Sequence, residues 1–147
     1  MSNSACSRGF KGASPPSFKT SYAYGKKQEE LILPKLRRFF KDDTIQQAEN
    51  KFCKYDFYSK TSQRKIEQKS RTNSYRAFPT TLIPENKLGA DTTLVFRFTD
   101  GDYYIDYDEE LFNTFERKLF VCNKRIDYND QTNYYYYIPI NFLKQIE

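Results

Sequence analysis

Two stretches decide how this chain folds: Lys54-Tyr55-Asp56-Phe57-Tyr58 and, after a short polar link, Ile66-Glu67-Gln68-Lys69-Ser70-Arg71. Both read as strands, over residues 51–58 and 64–70. The link over 59–63 is short enough to predict an antiparallel hairpin. Residues two apart in a strand share a face, so Glu67 and Lys69 stand side by side. Pairing through the link then sets Asp56 across from Glu67. One acid from each strand converges on a point, with an amine next to it.

Around this hairpin the pattern alternates between helix and strand. Upstream, Glu29, Ile32, Leu33, Leu36 and Phe40 recur at three- and four-residue steps, which predicts a helix over 26–40 with Pro34 bending it. Downstream, an extended piece over 80–83 stops at Pro84. Strands over 93–98 and 103–107 flank Asp100-Gly101, a dipeptide suited to a tight turn with positive φ. Asp108 is placed to cap a helix whose apolar stripe is Leu111, Phe112, Phe115 and Leu119. A strand over 134–138 and a short helix over 141–146 close the chain. The order predicts an α/β or α+β core, a mixed sheet with a helix on each side. Residues 1–20, rich in Ser, Gly, Pro and Lys, read as a flexible basic arm, and 21–147 as one domain.

Composition narrows the chemistry. At 147 residues the chain is the size of one domain. Only 38% of it is hydrophobic, but 13 Tyr and 13 Phe supply large buried areas. A net charge of +5 favours polyanionic partners, nucleic acid before membrane surface. Three cysteines without a CxxC pair, Cys6, Cys53 and Cys122, indicate reduced thiols in an intracellular compartment. The absence of histidine excludes Ser-His-Asp and Cys-His nucleophile systems, His-ligated zinc hydrolases and nucleases with a His base. Hydrolysis would have to use carboxylates, Lys, Tyr or a hard cation held by carboxylates. No apolar run approaches a membrane span and no signal peptide is read. The expectation is a soluble protein of cytoplasm or nucleus. No Trp or His, with abundant Tyr, Asn and Lys, is a composition found with AT-rich genomes, such as those of viruses.

Two carboxylates and an amine suit phosphodiester hydrolysis. The acids hold a hard cation, which polarises the phosphoryl group and acidifies a water. The ammonium orients that water or stabilises the charge that develops. The stretch resembles the PD-(D/E)xK superfamily of restriction-endonuclease-like nucleases, which includes Holliday-junction resolvases and many phage and viral enzymes. The family's first acid corresponds to Asp56, and its E-x-K to Glu67-Gln68-Lys69. Gly25…Glu29 matches the spacing of its helical Gly and Glu. The resemblance covers residues 24–87 and departs at Tyr55, where a Pro or small residue is usual, and at Gln68, where an aliphatic one is usual.

The resemblance implies a restriction-endonuclease-like core and an Mg²⁺-dependent endonuclease acting on DNA rather than RNA, with Mn²⁺ able to substitute. Asp56, Glu67 and the carbonyl of Gln68 would hold the metal. Lys69 would activate the water, and Glu29 would assist. Relatives often pair to cut two strands, which leaves a homodimer open. Basic residues between 60 and 76 fit phosphate contacts, giving Lys60, Arg64, Ser70, Arg71 and Asn73 as candidates for nucleic-acid binding. Lys87 joins them from the end of the 80–83 strand. Two rival expectations stand beside this one: a catalytically inactive nucleic-acid-binding domain of the same fold, and a viral structural protein using its aromatic surface to bind protein.

Overall fold

The computed structural model describes residues 18–49, 55–121 and 132–147. It is a mixed α+β protein with a mostly sheet core. Helix α1 (Phe18–Phe40) is followed by strands β1 (Ile45–Gln47), β2 (Phe57–Ser59), β3 (Lys65–Ser70) and β4 (Thr80–Pro84). A 3₁₀ turn (Glu85–Lys87) leads to β5 (Thr92–Phe98) and β6 (Gly101–Asp106). Then come helix α2 (Glu109–Phe112), β7 (Glu116–Val121), β8 (Thr132–Pro139), a second 3₁₀ turn (Ile140–Phe142) and β9 (Lys144–Ile146). Cys6, Cys53 and Cys122, most of the basic arm and the start of the first predicted strand lie outside the described residues.

The main sheet has six strands in the order β1-β2-β3-β5-β6-β9. β1, β2 and β3 form an antiparallel meander, β5 runs parallel to β3, and β5–β6–β9 is antiparallel again. The sheet is therefore mixed, as expected. A second sheet, β4-β8-β7, is antiparallel throughout.

Each face of the main sheet has its own core. On one, Ile32 and Leu36 of α1 pack on Ile45, Phe57, Ile66, Val95 and Ile146. Lys35 and Arg97 both pair with the buried Asp102, at 2.8 and 3.0 Å, tying the helix to the sheet. On the other face, Leu94, Phe96, Phe98 and Ile105 meet Ile83, Tyr136 and Ile138 of the small sheet, with Phe112 and Phe115. A sheet, with only a four-residue helix beside it, thus stands where a second long helix was expected.

Several local expectations are corrected. The first helix starts at Phe18 and runs through Gly25, and Pro34 lies inside it. Among its described side chains only Ile32 and Leu36 are buried, and Pro34 is exposed. The β5–β6 hairpin forms, but Phe98 pairs with Gly101, so the turn is Thr99-Asp100. Positive φ is not needed there. The turn is braced from outside, by Thr99 N–H on the Asn73 carbonyl and Tyr75 N–H on Asp100. Asp108 caps α2 through Glu110 and Leu111 N–H, but the helix ends at Phe112. Glu116-Arg117-Lys118-Leu119 belongs instead to β7, where pairing with the tyrosine strand outweighs a four-residue apolar period. The closing segment is a 3₁₀ turn and an edge strand rather than a helix.

Four of the six acids at positions 100–110 have structural roles: Asp100 accepts from Tyr75 N–H, Asp102 holds two cations, Asp106 pairs with Arg64, and Asp108 is a cap. Among the described residues no helix is long and apolar enough to cross a membrane.

Leu36 is fully buried between α1 and the sheet. Leu36→Ala should lower the unfolding free energy by about 2–5 kcal/mol. Urea unfolding monitored by circular dichroism measures this.

Candidate functional site

The hairpin's open end is where the candidate residues meet. Phe57 pairs with Ile66, and Asp56, the next residue out, still donates its N–H to the Ile66 carbonyl at 2.8 Å. There the ladder gives way to a side chain. Gln68 N–H is taken by Asp56 Oδ2 at 2.8 Å rather than by a backbone oxygen. The Asp56 carboxylate is thereby fixed along the edge of β3, level with Glu67. A strand residue's N–H and C=O leave by the same edge, so the Gln68 carbonyl is directed to that side too.

β3 carries Glu67 and Lys69 on the face covered by the small sheet. Glu67 is 4% exposed. Its Oε2 accepts two ammonium groups, Lys69 Nζ at 3.4 Å and Lys87 Nζ at 3.7 Å. Lys87 comes from the 3₁₀ turn after β4, which passes over this face. Glu29 approaches from α1 and is held by Lys26 at 3.4 Å and Gln47 at 3.3 Å. The fold thus gathers Glu29, Asp56, Glu67, Lys69 and Lys87 from a helix, a hairpin and a crossover.

The electrostatics show how crowded this arrangement is. Burial first, then the Asp56 charge, raises the Glu29 carboxyl from 4.5 to about 7, against the pull of Lys26 and Gln47. The same two causes push Glu67 up, opposed by Lys69 and Lys87. Burial pulls the Lys69 ammonium below the ordinary lysine range, and the Glu67 charge opposes that shift. Acids that repel and a lysine with a depressed pKa are typical of sites where charge changes hands. The donor set is carboxylate and carbonyl oxygen, which suits a hard divalent cation. Among the described residues, however, no three His, Cys, Asp or Glu side chains are gathered round one point that could hold an ion. In this arrangement Glu67 is turned to its lysines.

An open cleft of about 320 Å³ lies against Glu67, with Lys65, Lys87, Tyr55 and Asn86 on its walls. Lys65 could have been found from the sequence, since it alternates with Glu67 and Lys69. Tyr55 and Asn86 carried no such signal. Gln47 was missed because a three-residue strand is too short to show a period.

The candidate nucleic-acid residues separate into three groups. Lys87 joins the acidic cluster. Lys60 and Ser70 are exposed, one in the hairpin turn and the other at the end of β3. Arg64, Arg71 and Asn73 have partners within the protein, and of the three only the Arg71 side chain is deeply buried. Arg64 bonds Thr93 and Asp106 and lies 4.6 Å over the Phe40 ring. Asn73 braces the β5–β6 turn through its backbone carbonyl, and its side-chain amide donates to the Ser74 carbonyl at 2.9 Å. Arg71 donates to Thr81 Oγ1 and the Leu82 carbonyl, and burial lowers it to about 10. It clamps β4 to the main sheet, a structural role that the phosphate-contact expectation did not foresee.

The fold and the cluster define a mixed α+β protein with acids and lysines gathered at the open end of a hairpin. No family model, curated protein or solved structure matches the chain.

Two measurements follow from this geometry. Arg71→Met should destabilise by about 2–4 kcal/mol, since it removes two charge-assisted bonds, while leaving the salt dependence of any DNA affinity unchanged. In metal-free protein, folded Glu29 keeps its proton to about pH 7, whereas the unfolded group ionises near 4.5. Within that window the folded state binds the extra proton, so stability falls as pH rises. Glu29→Gln should flatten that part of the profile in urea titrations with EDTA.

Proposed function

We propose that this protein is a metal-dependent endonuclease hydrolysing phosphodiester bonds in DNA, with a restriction-endonuclease-like core. The observation that carries the reading is the hairpin's open end. There Asp56 is pinned by Gln68 N–H at 2.8 Å, beside Glu67 with Lys69 at 3.4 Å. The order of helix, hairpin and mixed sheet supports it, as does the entry of Glu29 from the first helix. Asp56, Glu67 and the Gln68 carbonyl are the oxygen donors for Mg²⁺ or Mn²⁺, which when bound supplies Lewis-acid polarisation of the phosphoryl group.

The chain's own groups supply the rest. Lys69, buried and with its ammonium pulled below the ordinary lysine range by that burial, is suited to orient the attacking water. Glu29, protonated up to about pH 7, can hold a second proton near Asp56. Lys65 and Lys87 stand where a phosphate backbone would be positioned.

A second reading has a specific observation in its favour. Glu67 already has two ammonium partners, an arrangement that a catalytically silent nucleic-acid-binding domain would also display. Cleavage of supercoiled plasmid and of single-stranded DNA with Mg²⁺, Mn²⁺ or EDTA separates the two. The expected result is metal-dependent cutting that falls roughly 10²–10⁴-fold in Asp56→Asn and Lys69→Met. Salt-dependent binding without cutting in the wild type would instead establish the silent domain.

A further inference from the structure

One oxygen of Glu67 serves two ammonium groups, and the two differ. Lys69 Nζ is 3.4 Å away, and its side chain is 11% exposed. Lys87 Nζ is 3.7 Å away, and its side chain is 35% exposed, on a 3₁₀ turn rather than a strand. Lys69 is enclosed in the core face of β3. Lys87 lines the open cleft of about 320 Å³, as does Lys65. The outer lysine therefore has somewhere to go, and the inner one does not.

We infer that Lys87 is an exchangeable counterion: it neutralises Glu67 in the free protein and moves to a phosphodiester entering the cleft, so that a divalent cation and a nucleic-acid strand each strengthen the binding of the other. The inference rests on the nuclease reading and adds a coupling between its two ligands. The physical ground is competition. A carboxylate shared by two ammonium groups is a poor cation ligand until one of them leaves. Lys87 loses a charge partner by leaving unless an anion replaces it. A phosphate in the cleft is that anion, and charge-assisted bonds to phosphate are strong. Once Lys87 has moved, Glu67 keeps one ammonium partner instead of two, and its repulsion with the nearby Asp56 favours a cation. Coupling of this kind is reciprocal, so it can be read from either ligand.

The test is fluorescence anisotropy of a labelled single-stranded oligonucleotide, with and without Ca²⁺, an oxygen-seeking cation, at matched ionic strength. In the wild type, Ca²⁺ should tighten oligonucleotide binding about fivefold or more. In Lys87→Met, calorimetry should show tighter Ca²⁺ binding to the free protein, and the oligonucleotide coupling should fall to about one. Lys65→Met should weaken the oligonucleotide while keeping the coupling, because Lys65 does not touch Glu67. Each coupling is a ratio within one variant, so a partly unfolded sample does not mimic its loss. Full coupling in Lys87→Met would overturn the inference. So would a wild-type ratio near one with metal-dependent cleavage intact, and that outcome would leave the nuclease reading standing. A wild type that binds neither ligand would remove both.

Discussion

Everything at the candidate site depends on the parallel pairing of β3 with β5. Antiparallel neighbours can be joined by a tight turn, but parallel ones require the chain to cross over a face of the sheet. Here the crossover is residues 71–91, and it passes over the face that carries Glu67 and Lys69. It does so as an extended strand and a 3₁₀ turn rather than as a helix, and it recruits β8 and β7 to complete a second sheet. The consequences are chemical as well as architectural. Glu67 and Lys69 lose their water, Lys87 is delivered to Glu67, and the cleft opens where the crossover does not fully cover β3.

Arg71 holds that crossover in place. It follows β3 directly and its N–H bonds the Arg97 carbonyl, while its guanidinium reaches forward to Thr81 and Leu82 of β4. One residue thus ties the start of the crossover to the strand in its middle. The opposite face is held differently, by aliphatic packing of Ile32 and Leu36 and by the Lys35–Asp102–Arg97 ionic group. That second attachment sets the depth at which Glu29 enters. A helix slipped by one turn would move by about 5.4 Å, enough to take Glu29 out of reach of Asp56.

The parts legible in the sequence were those with a local physical cause. The hairpin followed from a short polar link, and the shared face of Glu67 and Lys69 from strand period alone. Asp108 capped a helix as its chemistry dictates. What could not be read was set by distant partners. Leu119 sits at helical spacing from Phe115, but pairing with Tyr134 makes it part of a strand. Gly101 carries the chemistry of a tight turn, yet the turn lies one residue earlier because Asn73 and Tyr75 brace it. Arg71 in a basic stretch is indistinguishable from a phosphate contact until β4 is found against it. The cluster was legible in its members and not in its pairing, since nothing local shows that Lys87 would reach Glu67.

The site also illustrates why a buried acid is weak evidence for stability. Glu67 gains attraction from two lysines, but its desolvation and the Asp56 charge still push its proton affinity up. Lys69 pays for the same burial in the opposite direction. A pair retained only for stability would serve better as an apolar contact of the same volume, since buried ion pairs often fail to recover their desolvation cost. Asp102 offers the contrast within this molecule: it is equally buried, yet its two cations attach a helix to a sheet and no acid crowds it. Glu29, Asp56 and Glu67 instead stand near enough to disturb one another. The Asp56 charge raises the proton affinity of both Glu29 and Glu67, and an incoming positive charge would relieve that repulsion.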